Sequence, residues 1–178
     1  GIGQGYIQTT PVQLCLMTAQ IANGGYKLYP KLVLNEDIKE EPKDKFVPLY
    51  KNSENIRIIQ DAMFGSTNEV RGTSYKSRIN NPKYQFAGKT GTAQVKRITK
   101  KDRELDLKTF EIPYEDRDHA LYIAFGPYKS PRYAISILIE HGGSGSSVAA
   151  PIAKKLFKKI IDRHEIRKNF DSKKYLVI

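Results

Sequence analysis

The sequence predicts an α+β domain in which antiparallel strands are covered by helices, and three observations predict it. Phe86 to Val95 alternates as a strand does. Leu121 to Phe125 and Tyr133 to Glu140 are two further apolar runs, joined through Gly126-Pro127 and Pro131, and read as an antiparallel hairpin. Helical periodicity flanks these strands on both sides. With 178 residues and 39% hydrophobic content, the chain can bury the core of one domain or of part of one.

Thr10 is placed to cap a helix that starts at Pro11 and stops at Gly24-Gly25. Its apolar residues (Val12, Leu14, Leu16, Met17, Ile21, Ala22) face more than one side, so it is expected to be buried. Tyr26 to Leu34 reads as a short extended segment broken by Pro30, and Asn35 to Lys45 as a charged surface connection. A second helix is expected from a Ser53 cap to Gly65, with Ile56, Ile59 and Met63 on one face. Residues 96 to 119 form a long, charge-dense connection.

The loop His141-Gly142-Gly143-Ser144-Gly145-Ser146-Ser147 leads into a last helix. Val148, Ile152, Leu156, Phe157, Ile160 and Ile161 mark its buried face and Lys154, Lys155, Lys158 and Lys159 its solvated one. The tail from Asn169 carries no assignable pattern.

The formal charge of +11 is not interleaved with a recognisable nucleic-acid-reading module, so no nucleic-acid partner is assigned and a solvated lysine-rich surface accounts for it. Cys15 is the only cysteine and lies in an apolar run, as a structural thiol would. No run approaches the roughly 20 apolar residues that span a bilayer. The three histidines, His119, His141 and His164, have no carboxylate spacing that argues for zinc; no metal and no cofactor are assigned.

Gly88-Lys89-Thr90 ends like a phosphate-binding loop, but the position of that motif's first glycine is Lys83, and Gly91 disfavours the helix that must follow. Lys89-Thr90-Gly91 on a strand bordering a cleft fits better. Lys89 then supplies a fixed positive charge, Gly91 allows close approach of a ligand to the backbone, and Thr92 adds an amide and a hydroxyl. Such a set suits a peptide carboxylate and an oxyanion.

Four stretches extend this triplet: Gly1-Ile2-Gly3-Gln4-Gly5-Tyr6 leading into Thr10-Pro11-Val12-Gln13, Gly72-Thr73, Lys89 to Val95, and Asp118-His119 before Ala124-Phe125-Gly126-Pro127-Tyr128. In order and spacing the chain resembles the C-terminal half of a class B penicillin-binding protein transpeptidase domain. The resemblance implies a partial domain of the serine β-lactamase-like type, with a five-stranded antiparallel sheet covered by helices. It also implies the cross-linking of peptidoglycan stem peptides through an acyl-serine, and capture of β-lactams.

By that resemblance Lys89 and Thr92 are the catalytic contributors, and Lys89, Thr90, Gly91 and Thr92 bind substrate. The implied setting is the periplasmic side of the bacterial inner membrane, with an anchor outside this chain and the membrane glycosyltransferase of the elongation machinery as partner. The nucleophile motif Ser-x-x-Lys needs a lysine one helical turn beyond its serine, and no serine here has one. Ser66-Thr67-Asn68 matches the family's Ser-x-Asn motif literally but follows the second helix, so a helix-end role is expected for it. Both motifs are expected upstream of Gly1, leaving residues 1–178 as the C-terminal portion of one domain, inactive alone. A fragment of a serine β-lactamase or D,D-carboxypeptidase, and a non-enzymatic basic polymer-binding protein, are the competing readings.

Overall fold

A computed structural model describes residues 7–31, 44, 46–96 and 107–174, with side chains through 166. Helix α1 spans Pro11–Ala22, capped by Thr10, whose hydroxyl accepts from the Gln13 amide while the Gln13 side chain accepts from the Thr10 amide. Helix α2 is Ser53–Asn68, strand β1 Ala87–Ala93, β2 His119–Gly126, β3 Tyr133–Ile139, and helix α3 Ala150–Lys174. The strands form one antiparallel sheet in the order β1-β2-β3, with Lys89 opposite Ile123 and Ala93 opposite His119. The five-stranded sheet implied by resemblance is thus represented by three strands among the described residues.

The strand period of two sorts the core into layers. On one face Ala120, Tyr122, Ala124 and Ile137 pack with Phe86 against Ala149, Ala150, Ala153, Phe157 and Ile161 around the start of α3. Phe86 and Phe157 stack with ring centroids 4.9 Å apart. On the other face Ala87 and Phe125 meet Met63 of α2 and Ile21 and Ala22 of α1. The buried face of α3 is built as much on small residues as on the large ones the periodicity picks out, because alanines let the helix lie close to the sheet. Leu156, expected inside, is 37% exposed. Lys154, Lys155, Lys158 and Lys159 are exposed, and the helix runs past Asn169, into the tail that carries no assignable pattern, as far as Lys174.

Three other expectations change. Only Thr18 of α1 is fully buried, while Val12 and Met17 stand 59% and 42% exposed, because α1 packs on the sheet and α2 from one side. Helix α2 is capped by Asn52 rather than Ser53, its side chain accepting from the Glu54 amide, and runs through Gly65 to Asn68. Its last turn is tied to the sheet: Thr67 Oγ1 lies 2.9 Å from the Tyr122 hydroxyl, and Asn68 Nδ2 donates to the Phe86 carbonyl at 3.0 Å. Those bonds hold the helical turn past a residue that ordinarily weakens one. Ser66-Thr67-Asn68, expected to follow the second helix in a helix-end or turn role, is instead the last turn of that helix. Ile59, placed on the inner face of α2, is 41% exposed.

Tyr26 makes an isolated antiparallel bridge with Pro48, and most of Asn35 to Lys45 lies outside the described residues. Cys15 is half-buried, its thiol donating to the Ala134 carbonyl at 3.4 Å, and burial raises its ionisation above the ordinary range. Among the described residues no helix is long and apolar enough to cross a membrane.

Candidate functional site

Strand β1 is the edge of the sheet, and an edge strand presents alternate backbone amides and carbonyls outward. Lys89 lies in its centre and is exposed; Thr90, Gly91 and Thr92 are half-buried beside it. The Lys89 ammonium donates to the Thr90 carbonyl at 2.9 Å and lies 3.4 Å from Thr90 Oγ1. It lines a groove of about 630 Å³ between β1 and the C-terminal half of α2. Around it stand Ser66, Glu69, Arg71, Thr73 and Asp61, so the groove combines two cations with two carboxylates. Asp61 accepts from the Tyr128 hydroxyl at 2.6 Å. Burial and, next, that carboxylate push the Tyr128 hydroxyl up to about 12, which keeps it protonated as the donor.

A file of hydroxyls crosses the groove: Ser66 Oγ is 3.2 Å from Thr73 Oγ1, which is 3.3 Å from Thr90 Oγ1. Thr73 reaches that place because the chain doubles back over the end of α2 at Gly72. A side-chain carbon on Gly72 would come within 2.3 Å of the Ser66 carbonyl oxygen, so only glycine fits. The Ser74 amide then donates to that same carbonyl at 3.0 Å. Below the file, the Tyr122 hydroxyl is held by Thr67 at 2.9 Å and Ser74 at 3.0 Å in the buried layer. The Gly72-Thr73 pair is visible in the sequence, but its hydrogen bond to Thr90 is not, because it depends on a turn that brings residues 17 apart in the chain together.

The back of β1 is closed by the glycine-serine loop. Gly145 is buried in a π-helical turn, Gly145–Ala149, against the backbone of Gly91 and Leu121. The loop is set by two histidines. The His141 amide donates to His119 Nδ1 at 2.9 Å, and His141 Nδ1 donates to the Arg117 carbonyl at 3.1 Å. The first bond requires an unprotonated Nδ1 on His119 and the second a proton on His141 Nδ1. His119, expected before a strand, is the first residue of β2. His164 lies 2.6 Å from the Tyr133 hydroxyl, away from the groove.

The arrangement can bind an extended peptide. An exposed strand edge supplies backbone hydrogen bonds, an ammonium and a hydroxyl line its outer side, and a groove holds side chains of either charge. It holds no serine paired with a lysine one helical turn on.

Residues 1–158 match the family described as penicillin binding protein transpeptidase domain. The peptidoglycan D,D-transpeptidase MrdA of Salmonella typhimurium is 37% identical over 173 residues, which cover 91% of this chain and 26% of that protein. Among solved structures, Pseudomonas aeruginosa PBP2 in complex with WCK 5153 superposes with a TM-score of 0.70 at 34% identity, covering 89% of this chain and 32% of that one. Helicobacter pylori PBP2 in complex with MreC gives 0.70 at 32% identity, with 90% and 26% covered. The chain spans about a quarter of the length of the curated relatives it matches.

Proposed function

Because the chain belongs to the penicillin-binding protein transpeptidase family, we propose that it is the substrate-gripping portion of a peptidoglycan D,D-transpeptidase and that residues 1–178 are the C-terminal part of its domain. The observation that carries this reading is Lys89 on an exposed edge strand, lining a groove, with Thr90 and Thr92 following it in the same strand. In the reaction a serine outside this chain attacks the penultimate carbonyl of a D-alanyl-D-alanine stem, and its proton passes to a base. The carbon–nitrogen bond breaks, D-alanine leaves, and the acyl group passes from the serine to an amine of a second stem. Lys89 supplies positive charge at the donor carboxylate, Thr90 and Thr92 hydrogen-bond that carboxylate, and the Thr92 amide donates to the oxyanion. One oxyanion donor of this kind contributes about a hundred- to a thousandfold in rate.

Penicillins enter the same groove as donor mimics. The H. pylori relative is solved in a complex with MreC; for this protein a membrane-bound elongation assembly on the periplasmic face of the inner membrane, including its glycosyltransferase, is the corresponding proposal. The test is Lys89→Ala in the parent transpeptidase. Acylation by a fluorescent penicillin is expected to fall by tenfold to more than a hundredfold, with the melting temperature little changed, since an exposed edge-strand lysine carries charge rather than packing. Unchanged acylation would remove the reading.

A further inference from the structure

A second groove, of about 720 Å³, lies on the α3 side of the molecule. Lys154, Lys155 and Lys158 form one wall and Lys76 belongs to another segment, with Tyr84 and Ser146 also in the lining and no acidic residue among the described residues that line it; the Tyr84 hydroxyl donates to Asp162, outside that lining. None of the four lysines has an ion-pair partner among the described residues. The neighbouring groove further along α3 differs. There Lys83 pairs with Asp162 at 3.8 Å and Arg132 with Glu165 at 3.7 Å, which leaves Lys129 as the one lysine of that lining without an ion pair among the described residues. Acidic residues of α3 thus pair cations from neighbouring segments, while the α3 lysines around the first groove have no ion-pair partner among the described residues. Four like charges facing one cavity repel one another, and an anionic occupant relieves that repulsion.

Position selects the occupant. Ser146 in the groove lining follows Gly145, which packs on the Gly91 backbone, and Lys76 follows three residues after Thr73, which bonds Thr90. Both walls are therefore continuations of the segments that brace β1. We propose that this groove holds a carboxylate-bearing stretch of the peptidoglycan polymer, gripping the strand outside the reacting peptide. This deepens the reading above and rests on it. A concave site with an aromatic residue and hydroxyls among its lysines suits a linear chain of sugars and acidic peptides.

The experiment is cosedimentation of the full chain with purified peptidoglycan sacculi, native or with their carboxyl groups amidated. Lys154→Gln/Lys155→Gln/Lys158→Gln is compared with a charge-matched control, Lys51→Gln/Lys129→Gln/Lys159→Gln, all six positions being exposed. Glutamine keeps helix propensity close to that of lysine. The groove variant is expected to bind native sacculi about tenfold or more weakly at low salt, the control far less so, and amidation to abolish the difference. Lys76→Gln, on the other wall and off the helix, is expected to weaken binding in the same direction, which guards against a folding effect confined to α3. Equal loss in both triple variants, or no effect of amidation, would overturn the proposal. So would groove-dependent binding that is tighter to phosphatidylglycerol vesicles or to duplex DNA than to sacculi. A failure here leaves the Lys89→Ala acylation result untouched, and a failure there leaves the sacculus result standing.

Discussion

Gly145 sits so close behind Gly91 that a side-chain carbon on it would lie 2.7 Å from the Gly91 carbonyl oxygen and 2.4 Å from that of Leu121. The start of the last helical segment and the substrate-facing strand are therefore in backbone contact, and neither partner in that contact has a flexible end that can swing aside. Gly145→Ala is expected to cost about 1–3 kcal/mol, as overpacking of a close contact does. Gly91→Ala is the comparison: among the described residues its added carbon meets only the Leu121 side chain, at 3.2 Å, and a strand alanine recovers some backbone entropy. It is expected to stay within about 1 kcal/mol of the parent. Urea unfolding of the two variants checks the pair, and equal losses would show that the Gly145–Gly91 contact is not tight.

Tyr122→Phe tests the buried hydroxyl cluster beneath the groove. The substitution strips Thr67 and Ser74 of a shared partner and is expected to cost about 1–3 kcal/mol. It also changes the alkaline limb of the stability curve. Burial is the largest effect on the Tyr122 hydroxyl and raises its ionisation above the ordinary 10.0. A group raised in the folded state binds its proton more tightly there. Its stabilisation is complete below pH 10.0 and is lost as pH rises from there through the folded value. Removing the hydroxyl is expected to make the fall above pH 10.0 shallower; Tyr128 and Tyr84, also raised, keep it from vanishing. Melting curves on either side of that pH read the difference.

What the sequence discloses is what depends on short-range pattern. The three strands, the Thr10 cap and the exposed lysine face of α3 follow from alternation, capping chemistry and helical spacing, and the structure has each of them. Lys89 on a strand follows from Gly91, which weakens a helical start. The continuation of α2 past Gly65 is not legible, since it is secured by Thr67 and Asn68 bonding to Tyr122 and Phe86, partners 55 and 18 residues away. Nor is the Ala149, Ala150 and Ala153 seam, where the decisive property is how near a helix comes to a sheet. The roles of Thr73 and Gly145 are of the same kind. The residues are visible, but the contact belongs to the tertiary fold.

Ser136 Oγ is a buried side-chain oxygen with no hydrogen-bond partner among the described residues, on the strand opposite Ile123. An unpaired buried hydroxyl carries a desolvation cost that an alanine does not, against a small loss of packing. Ser136→Ala is expected to be neutral or to stabilise by up to about 1 kcal/mol. Chemical denaturation decides it, and a loss above that size would mean that the hydroxyl makes a bond of its own.

The isolated chain is expected to form no covalent adduct with penicillin, and Ser66 is the residue on which that expectation turns. It lines the Lys89 groove and begins a literal Ser-x-Asn triplet, so position and motif both recommend it. Its chemistry does not. A serine hydroxyl becomes a nucleophile when a base within hydrogen-bond reach takes its proton. Ser66 Oγ reaches Thr73 Oγ1 at 3.2 Å, another hydroxyl, and the file continues through Thr90 before it meets the Lys89 ammonium at 3.4 Å. Lys89 itself donates to the Thr90 carbonyl, and a protonated amine accepts nothing. The residue three positions beyond Ser66 is Glu69, not lysine, and its carboxylate folds back to within 3.2 Å of where a side chain on Gly65 would stand. Intact-protein mass spectrometry after incubation with a fluorescent penicillin is expected to show the unmodified mass, with or without Ser66→Ala. A stoichiometric increment that disappears in Ser66→Ala would make Ser66 a nucleophile and overturn the assignment of the acyl-serine to a segment outside this chain.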